Sequence, residues 1–255
     1  MNAAWRRLLE EIGRARDAGR AVEFWWRDDD AARHDPALGR LLAMTETYKV
    51  PLALAAIPAL AEAAAFAHLP AGVSVLQHGG DHRNRAGRGE KKTEFPELEA
   101  APAAIKRLRA GRLRLSGFAG ERLLPVLAPP WNRIRSSLLP HLAAAGYRGL
   151  SQYGPRGDAR PAPGLLQVNT HVDLIAWRAG RGFAGEEALL AAAVAHLAAK
   201  REGRADAGEP TGWLSHHAAH DEPCWRFLER LFETLQSAPG VRWLAAEALF
   251  SISRS

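Results

Sequence analysis

The chain reads as an α/β protein, a single parallel β/α barrel of seven or eight units. Three observations predict this. Short apolar runs alternate with stretches of helical periodicity along the whole sequence, the pattern of parallel strands joined by helical crossovers. The 255 residues are enough for one undivided barrel. No repeat, low-complexity tail or linker interrupts them, so 1–255 is read as one domain with 1–20 as a lead-in helix. Finally, the clusters richest in Asp and His each stand just after a predicted strand, and in such a barrel those ends share the face that carries active sites.

The elements follow in order. Trp5, Leu8, Leu9 and Ile12 fall at helical spacing and Gly19 is a stop signal, which gives the lead-in helix. Val22–Arg27 is a strand too continuously apolar for a solvated sheet face, and it runs into Asp28-Asp29-Asp30. Asp35-Pro36 is an N-cap with Pro at the first helical position, opening a helix with Leu38, Leu41, Leu42 and Tyr48. Pro51–Ile57 is a buried strand, and Pro58 opens a short Ala-rich helix. Val73–Leu76 is a third strand, followed by Gln77-His78-Gly79-Gly80-Asp81-His82 and a polar loop to about Lys92.

Helical periodicity returns from Pro96 to Leu115, and Leu123–Ala128 is a strand ending at Pro129-Pro130-Trp131-Asn132-Arg133. A helix over about 137–145 and a strand at Tyr147–Ser151 precede a Gly/Pro-rich loop over 152–164. Leu165–Asn169 is a short strand leading to His171-Val172-Asp173, and Gly185–Lys200 a long Ala/Leu helix. Thr211–Ser215 is a strand ending in His216-His217. Asp221 caps a helix holding Phe227, Leu228, Leu231, Phe232 and Leu235. Val241–Leu244 closes the chain as a last strand with a terminal helical turn.

Composition narrows the function classes. A single cysteine, Cys224, excludes an internal disulfide framework and a cysteine-based zinc site, so any metal must be held by His and carboxylate. The net charge of +6 comes from 34 Lys+Arg against 28 Asp+Glu, but the basic residues are scattered rather than gathered on one face, which argues against a nucleic-acid partner. No apolar run approaches the roughly 20 residues that cross a bilayer, and the N-terminus shows no apolar export signal, so a cytoplasmic protein with no membrane partner is expected.

The motifs carry the chemistry. Three consecutive carboxylates at the tip of a buried strand repel one another, and a cation or a proton must offset that cost. His78 and His82 stand four apart, and on a helical turn such side chains lie about 5–6 Å from one another, close enough to clamp one ion. One Asp with two His leaves a coordination position open for water, as in catalytic zinc sites. His216 and His217 end a strand, so one ring can face the barrel mouth as a general acid, with Asp173 or His171 as its partner. Trp131 can supply a flat wall for a sugar or acyl group, with Asn132 beside it and Arg133 a cation near the acidic triplet.

The order of RDDD, HGGDH, PPW, a D…W segment and LSHH resembles the NodB-type polysaccharide deacetylases, carbohydrate esterase family four, across roughly 22–249. The resemblance implies a distorted β/α barrel, a divalent metal with zinc as first candidate, and removal of acetyl groups from sugars. Aligned on the family's strand-end Asp pair, Asp29 becomes the catalytic base and Asp30 a metal ligand; a slip of one residue makes them Asp28 and Asp29. The H-x-x-x-H motif makes His78 and His82 the other ligands. The final L-x-H motif makes His216 the acid, with His217 competing, and Asp173 with Trp177-Arg178 loosely matches the D…W segment. Asp173, His217, Trp131, Asn132 and Arg133 are then expected around the substrate. The family's Arg before the Pro-aromatic pair is Ala128 here, leaving Arg133 or Arg27 to brace the base.

The implied function is a metal-dependent hydrolase acting on an acylated sugar or related small molecule. Two alternatives use the same residues: an Fe(II)-type oxygenase built on Asp-His-His, and a non-catalytic carbohydrate-binding descendant, motivated by the missing motif Arg.

Overall fold

The structure, a computed structural model, describes residues 2–252. Nine strands form one sheet in which every pairing is parallel. They are β1 (Val22–Ala31), β2 (Leu52–Ala56), β3 (Val73–His78), β4 (Leu123–Ala128), β5 (Gly149–Leu150), β6 (Leu166–Gln167), β7 (Val172–Asp173), β8 (Thr211–Ser215) and β9 (Val241–Trp243). The helices are α1 (Ala3–Asp17), α2 (Pro36–Tyr48), α3 (Ala101–Ala119), α4 (Leu139–Ala144), α5 (Glu186–Arg201), α6 (Glu222–Gln236) and α7 (Ala246–Leu249). The sheet runs β6-β5-β4-β3-β2-β1-β8-β7, with β9 added beside the start of β1, so the barrel is a curled sheet whose edge strands β6 and β7 do not pair with each other. This is the α/β barrel expected from the alternation, distorted by that opening.

The strand faces sort by the two-residue period. Phe24, Trp26, Leu52, Leu54, Val73 and Val75 join one apolar core with buried residues of α1, α2, α5 and α6. Trp25, Ala53, Ala55, Leu76, Val126 and Ala128 form another, which α7 covers through Leu249 and Phe250. The small alanines of β2 suit this second face, where little volume separates the strands from the terminal helix. The expected N-caps hold: Asp35 accepts from the Leu38 amide at 2.8 Å and Asp221 from that of Cys224 at 2.9 Å.

Several boundaries differ from the sequence expectation. β1 does not stop at Arg27 but continues through all three aspartates to Ala31, because those side chains find buried partners and need not leave the sheet. Pro58 opens only a turn, with a short 3₁₀ turn over Ala63–Ala65 where the alanine-rich helix was expected. The third helix starts at Ala101, since the carbonyls of Pro96 and Glu99 accept from the Arg135 guanidinium, at 2.6 and 2.7 Å, instead of from an α-helical turn. β5, β6 and β7 are two residues each, the remainder of those apolar runs packing as irregular backbone.

Candidate metal and catalytic site

The alternation of β1 decides where its carboxylates go. Trp25, Arg27 and Asp29 share one face of the strand, and Asp28 lies on the other with Phe24 and Trp26. Asp30 should follow Asp28, yet the register with β2 shifts between Asp28 and Ala31, and Asp30 is left-handed at φ 71°. This irregularity works as bulges do, re-aiming a side chain at a strand end. It brings the consecutive Asp29 and Asp30 to the same end of the sheet as His78, the last residue of β3.

There Asp30 Oδ1 stands 3.2 Å from His78 Nε2 and 3.2 Å from His82 Nε2. The ligand-capable atoms of the three residues all lie within 4.8 Å of one another. His78 Nδ1 is 3.0 Å from the Ala128 carbonyl, to which it donates, so its Nε2 lone pair faces Asp30. Asp30 Oδ1 is buried yet has no hydrogen bond, as a ligand oxygen awaiting a cation would be. Burial alone would raise the Asp30 pKa, but His78 and His82 outweigh it and hold this carboxyl well below its usual range. Burial would lower that of His78, and the carboxylates of Asp29 and Asp30 instead raise it. The donor set of one carboxylate and two imidazoles fits a divalent cation such as zinc.

His78 and His82 do not share a helical turn. His78 closes a strand and His82 lies in a loop at φ 55°, not on a helical turn. The loop turns sharply at Gly79, φ 65°, and folds around the Glu94 carboxylate. Trp131, itself left-handed at φ 55°, packs its ring 4.6 Å from that of His82.

Beside the trio, Arg27 lies along Asp29. Nη2 donates to Oδ2 at 3.0 Å and Nε stands 2.9 Å from Oδ1, with both residues buried. The guanidinium is fixed in turn by the Ser151 hydroxyl and carbonyl, at 2.6 and 2.9 Å, and by Asn132 Oδ1 at 2.5 Å. Of the two arginines considered as replacements for the motif Arg, the one in β1 holds Asp29. Arg133 instead donates to the Lys92 carbonyl at 3.0 Å, so its expected place near the acidic triplet is not observed. Asn132 serves this bracing contact.

His216, at the end of β8, sits between two carboxylates. Nε2 is 4.0 Å from Asp29 Oδ2 and Nδ1 is 3.7 Å from Asp173 Oδ1. Trp177 donates its indole N–H to Asp173 Oδ2 at 2.9 Å and stands edge-on to the His216 ring at 4.7 Å. Burial raises the Asp173 pKa and Asp29 adds to the rise, against the opposing pull of His216. His217 goes elsewhere: its Nδ1 and backbone N–H contact Asp28 at 2.5 and 3.0 Å. Asp28 also accepts from Ser215 Oγ at 2.6 Å, and Ser215 from the Trp26 indole at 2.8 Å. The third aspartate is therefore an anchor between β1 and β8.

His171 does not reach His216. It stacks on His196 with ring centres 3.5 Å apart, and its Nε2 is 3.3 Å from Glu209. These three buried residues also lie within ligand distance of one another. The Gly212 amide donates to His171 Nδ1 at 3.0 Å, so a neutral His171 carries its proton on Nε2 and offers no lone pair there. That trio reads as a structural cluster. No motif or spacing singles out Glu94, His196 or Glu209, which are isolated residues in unremarkable surroundings.

Neither a family model nor a curated protein matches this sequence. Solved structures do. The PuuE allantoinase superposes with a TM-score of 0.62 at 14% identity, over 91% of this chain and 89% of that one. A family 4 acetyl xylan esterase from Clostridium thermocellum, in complex with a cobalt ion, gives 0.55 at 15% identity over 90% of each chain. A family 4 carbohydrate esterase from Streptomyces lividans, in complex with acetate, gives 0.54 at 14% identity, over 87% of this chain and 90% of that one. At such identities the likeness is one of fold, and it is the fold that the motif resemblance implies.

Proposed function

We propose that this chain is a metal-dependent hydrolase that removes an acyl group, acetyl first among candidates, from nitrogen or oxygen of a sugar or related small molecule. One observation carries the reading: a cation-ready Asp-His-His trio lies beside a buried Asp29–Arg27 couple and an Asp173–His216 couple. Held by Asp30, His78 and His82, a divalent ion such as zinc would polarise the acyl carbonyl and make water in the site more acidic. Asp29, oriented by Arg27, takes a proton from the water that attacks the carbonyl carbon. His216, oriented by Asp173, gives a proton from Nε2 to the leaving nitrogen or oxygen as its bond to carbon breaks. Trp131 offers a wall at the His82 side of the site. The all-parallel sheet speaks against the oxygenase reading, and a pure binding reading leaves the two acid–base couples without a role.

The test is acetate release from small N- and O-acetylated sugars by metal-stripped protein with zinc added back. Each acid–base group is worth about 10²–10⁴-fold, so Asp29→Asn and His216→Ala should each lower kcat by at least that lower bound while one equivalent of metal stays bound. Asp30→Ala should lose the metal. Wild-type turnover in Asp29→Asn would sink the mechanism.

A further inference from the structure

We infer that Glu94 is a positioning residue for the metal site, one that sets the place of His82 through the backbone of the loop before it. This rests on the metal reading above. Glu94 is fully buried in the segment before α3, sixteen residues beyond His78. Its carboxylate accepts three successive backbone N–H groups. Gly80 donates to both oxygens, at 2.9 and 3.1 Å, Asp81 to Oε1 at 3.4 Å and His82 to Oε2 at 3.1 Å. Successive amides converging on one anion form a concave nest, and here the anion belongs to the protein.

Two further facts tie the motif to this carboxylate. A Cβ on Gly79 would lie 2.2 Å from Glu94 Oε2, and one on Gly80 would lie 3.0 Å from Oε1 and 2.6 Å from Cγ of Arg107. The two glycines of HGGDH are thus the residues that let the loop close on Glu94. Arg107 of α3 completes the arrangement, with Nε donating to Glu94 Oε1 at 2.9 Å and the rest of its guanidinium paired with Glu99. This cation offsets the cost of burying the carboxylate.

His82 depends on this anchor more than its partners do. Asp30 and His78 belong to strands, whereas His82 hangs from a loop in a left-handed conformation that is unfavourable for a non-glycine residue. The ring itself meets Asp30 and the rings of His78 and Trp131. Its backbone position is held by the bond to Glu94.

Zinc affinity, measured by chelator competition on folded protein, tests the proposal. Outer partners of metal ligands typically matter by about 10- to 100-fold, and Glu94→Gln should weaken zinc binding by that factor. In a His82→Ala background the same change should move affinity by less than about twofold, since the ligand it positions is gone. Gly80→Ala, whose Cβ would press on Glu94 and its partner Arg107 without altering charge, should reproduce the loss, and it keeps the test open where Glu94→Gln folds poorly. Equal losses in both backgrounds, or none in either variant, would overturn the proposal. Wild-type protein that takes up no zinc overturns the metal reading with it, whereas zinc-binding wild type with unaffected variants overturns this inference alone.

Discussion

Arg27 occupies a position where one side chain decides both stability and chemistry. Its guanidinium and Asp29 are both out of reach of water, so removing the cation leaves an unpaired buried carboxylate. Breaking such a pair costs about 3–5 kcal/mol, while replacing both members with neutral groups is often close to neutral. Arg27→Met should therefore lower the unfolding free energy by that amount in urea titrations, and adding Asp29→Asn should recover most of it. A double variant no more stable than Arg27→Met would mean that Arg27 acts through its bonds to Ser151 and Asn132 rather than through Asp29. The sequence made Asp29 and Asp30 candidates but left a slip of one residue open. What separates the three aspartates is a local break in strand register at Asp30, a backbone property that no side-chain pattern announces. The bracing role of Arg27 was one of two options for the same reason: a strand's alternation puts residues 27 and 29 on one face, but the competing Arg133 is excluded only by its contact with Lys92.

At the scale of elements, β1 and β8 are joined by a chain from Trp26 through Ser215 and Asp28 to His217, and this joint sets the start of the loop that carries His216. Burial would raise the Asp28 pKa, but His217 and Ser215 hold it below the usual range; burial would lower that of His217, but Asp28 raises it. The two shifts define a window. A lowered carboxylate contributes stability above its unfolded value near 3.8 and loses it as pH falls through the folded value. A raised imidazole contributes fully below 6.5 and loses its share as pH rises through the folded value. The stability gap between wild type and Asp28→Asn should thus be flat from about pH 5 to 6.5 and narrow above it, as read from urea unfolding at each pH. A gap that widens with pH would contradict the charged pair. The long strands and capped helices were legible because burial on both faces and cap residues leave plain signals. The two-residue strands β5, β6 and β7 were overextended because apolar runs beside Gly/Pro-rich loops look alike whether they pair or merely pack. The loop of His82 is not a helical turn, and a four-residue spacing cannot distinguish a helix from a loop wound on a distant glutamate.

Across the whole molecule, the alternation of strands and helices placed the polar clusters at one end of the sheet, yet it could not say that the barrel stays open between β6 and β7, nor that histidines serve two separate purposes. Beyond the site, His171, His196 and His220 are held neutral. Burial lowers the pKa of all three, to about 3 for His196 and to about 4 for His220. Below 6.5 the unfolded chain binds protons that these folded imidazoles refuse, so they cost no stability above that pH and lower it as pH drops toward the folded values. The slope is about 1.4 kcal/mol per pH unit for each fully unequal site. His217, raised rather than lowered, is protonated in both states there and adds nothing to it. His196→Asn should remove one proton's worth of that slope between pH 6 and 4, and should leave zinc uptake by the Asp30 trio unchanged. An unaltered slope would show that His196 takes up its proton in the folded state, with the stacked pair and Glu209 sharing the charge.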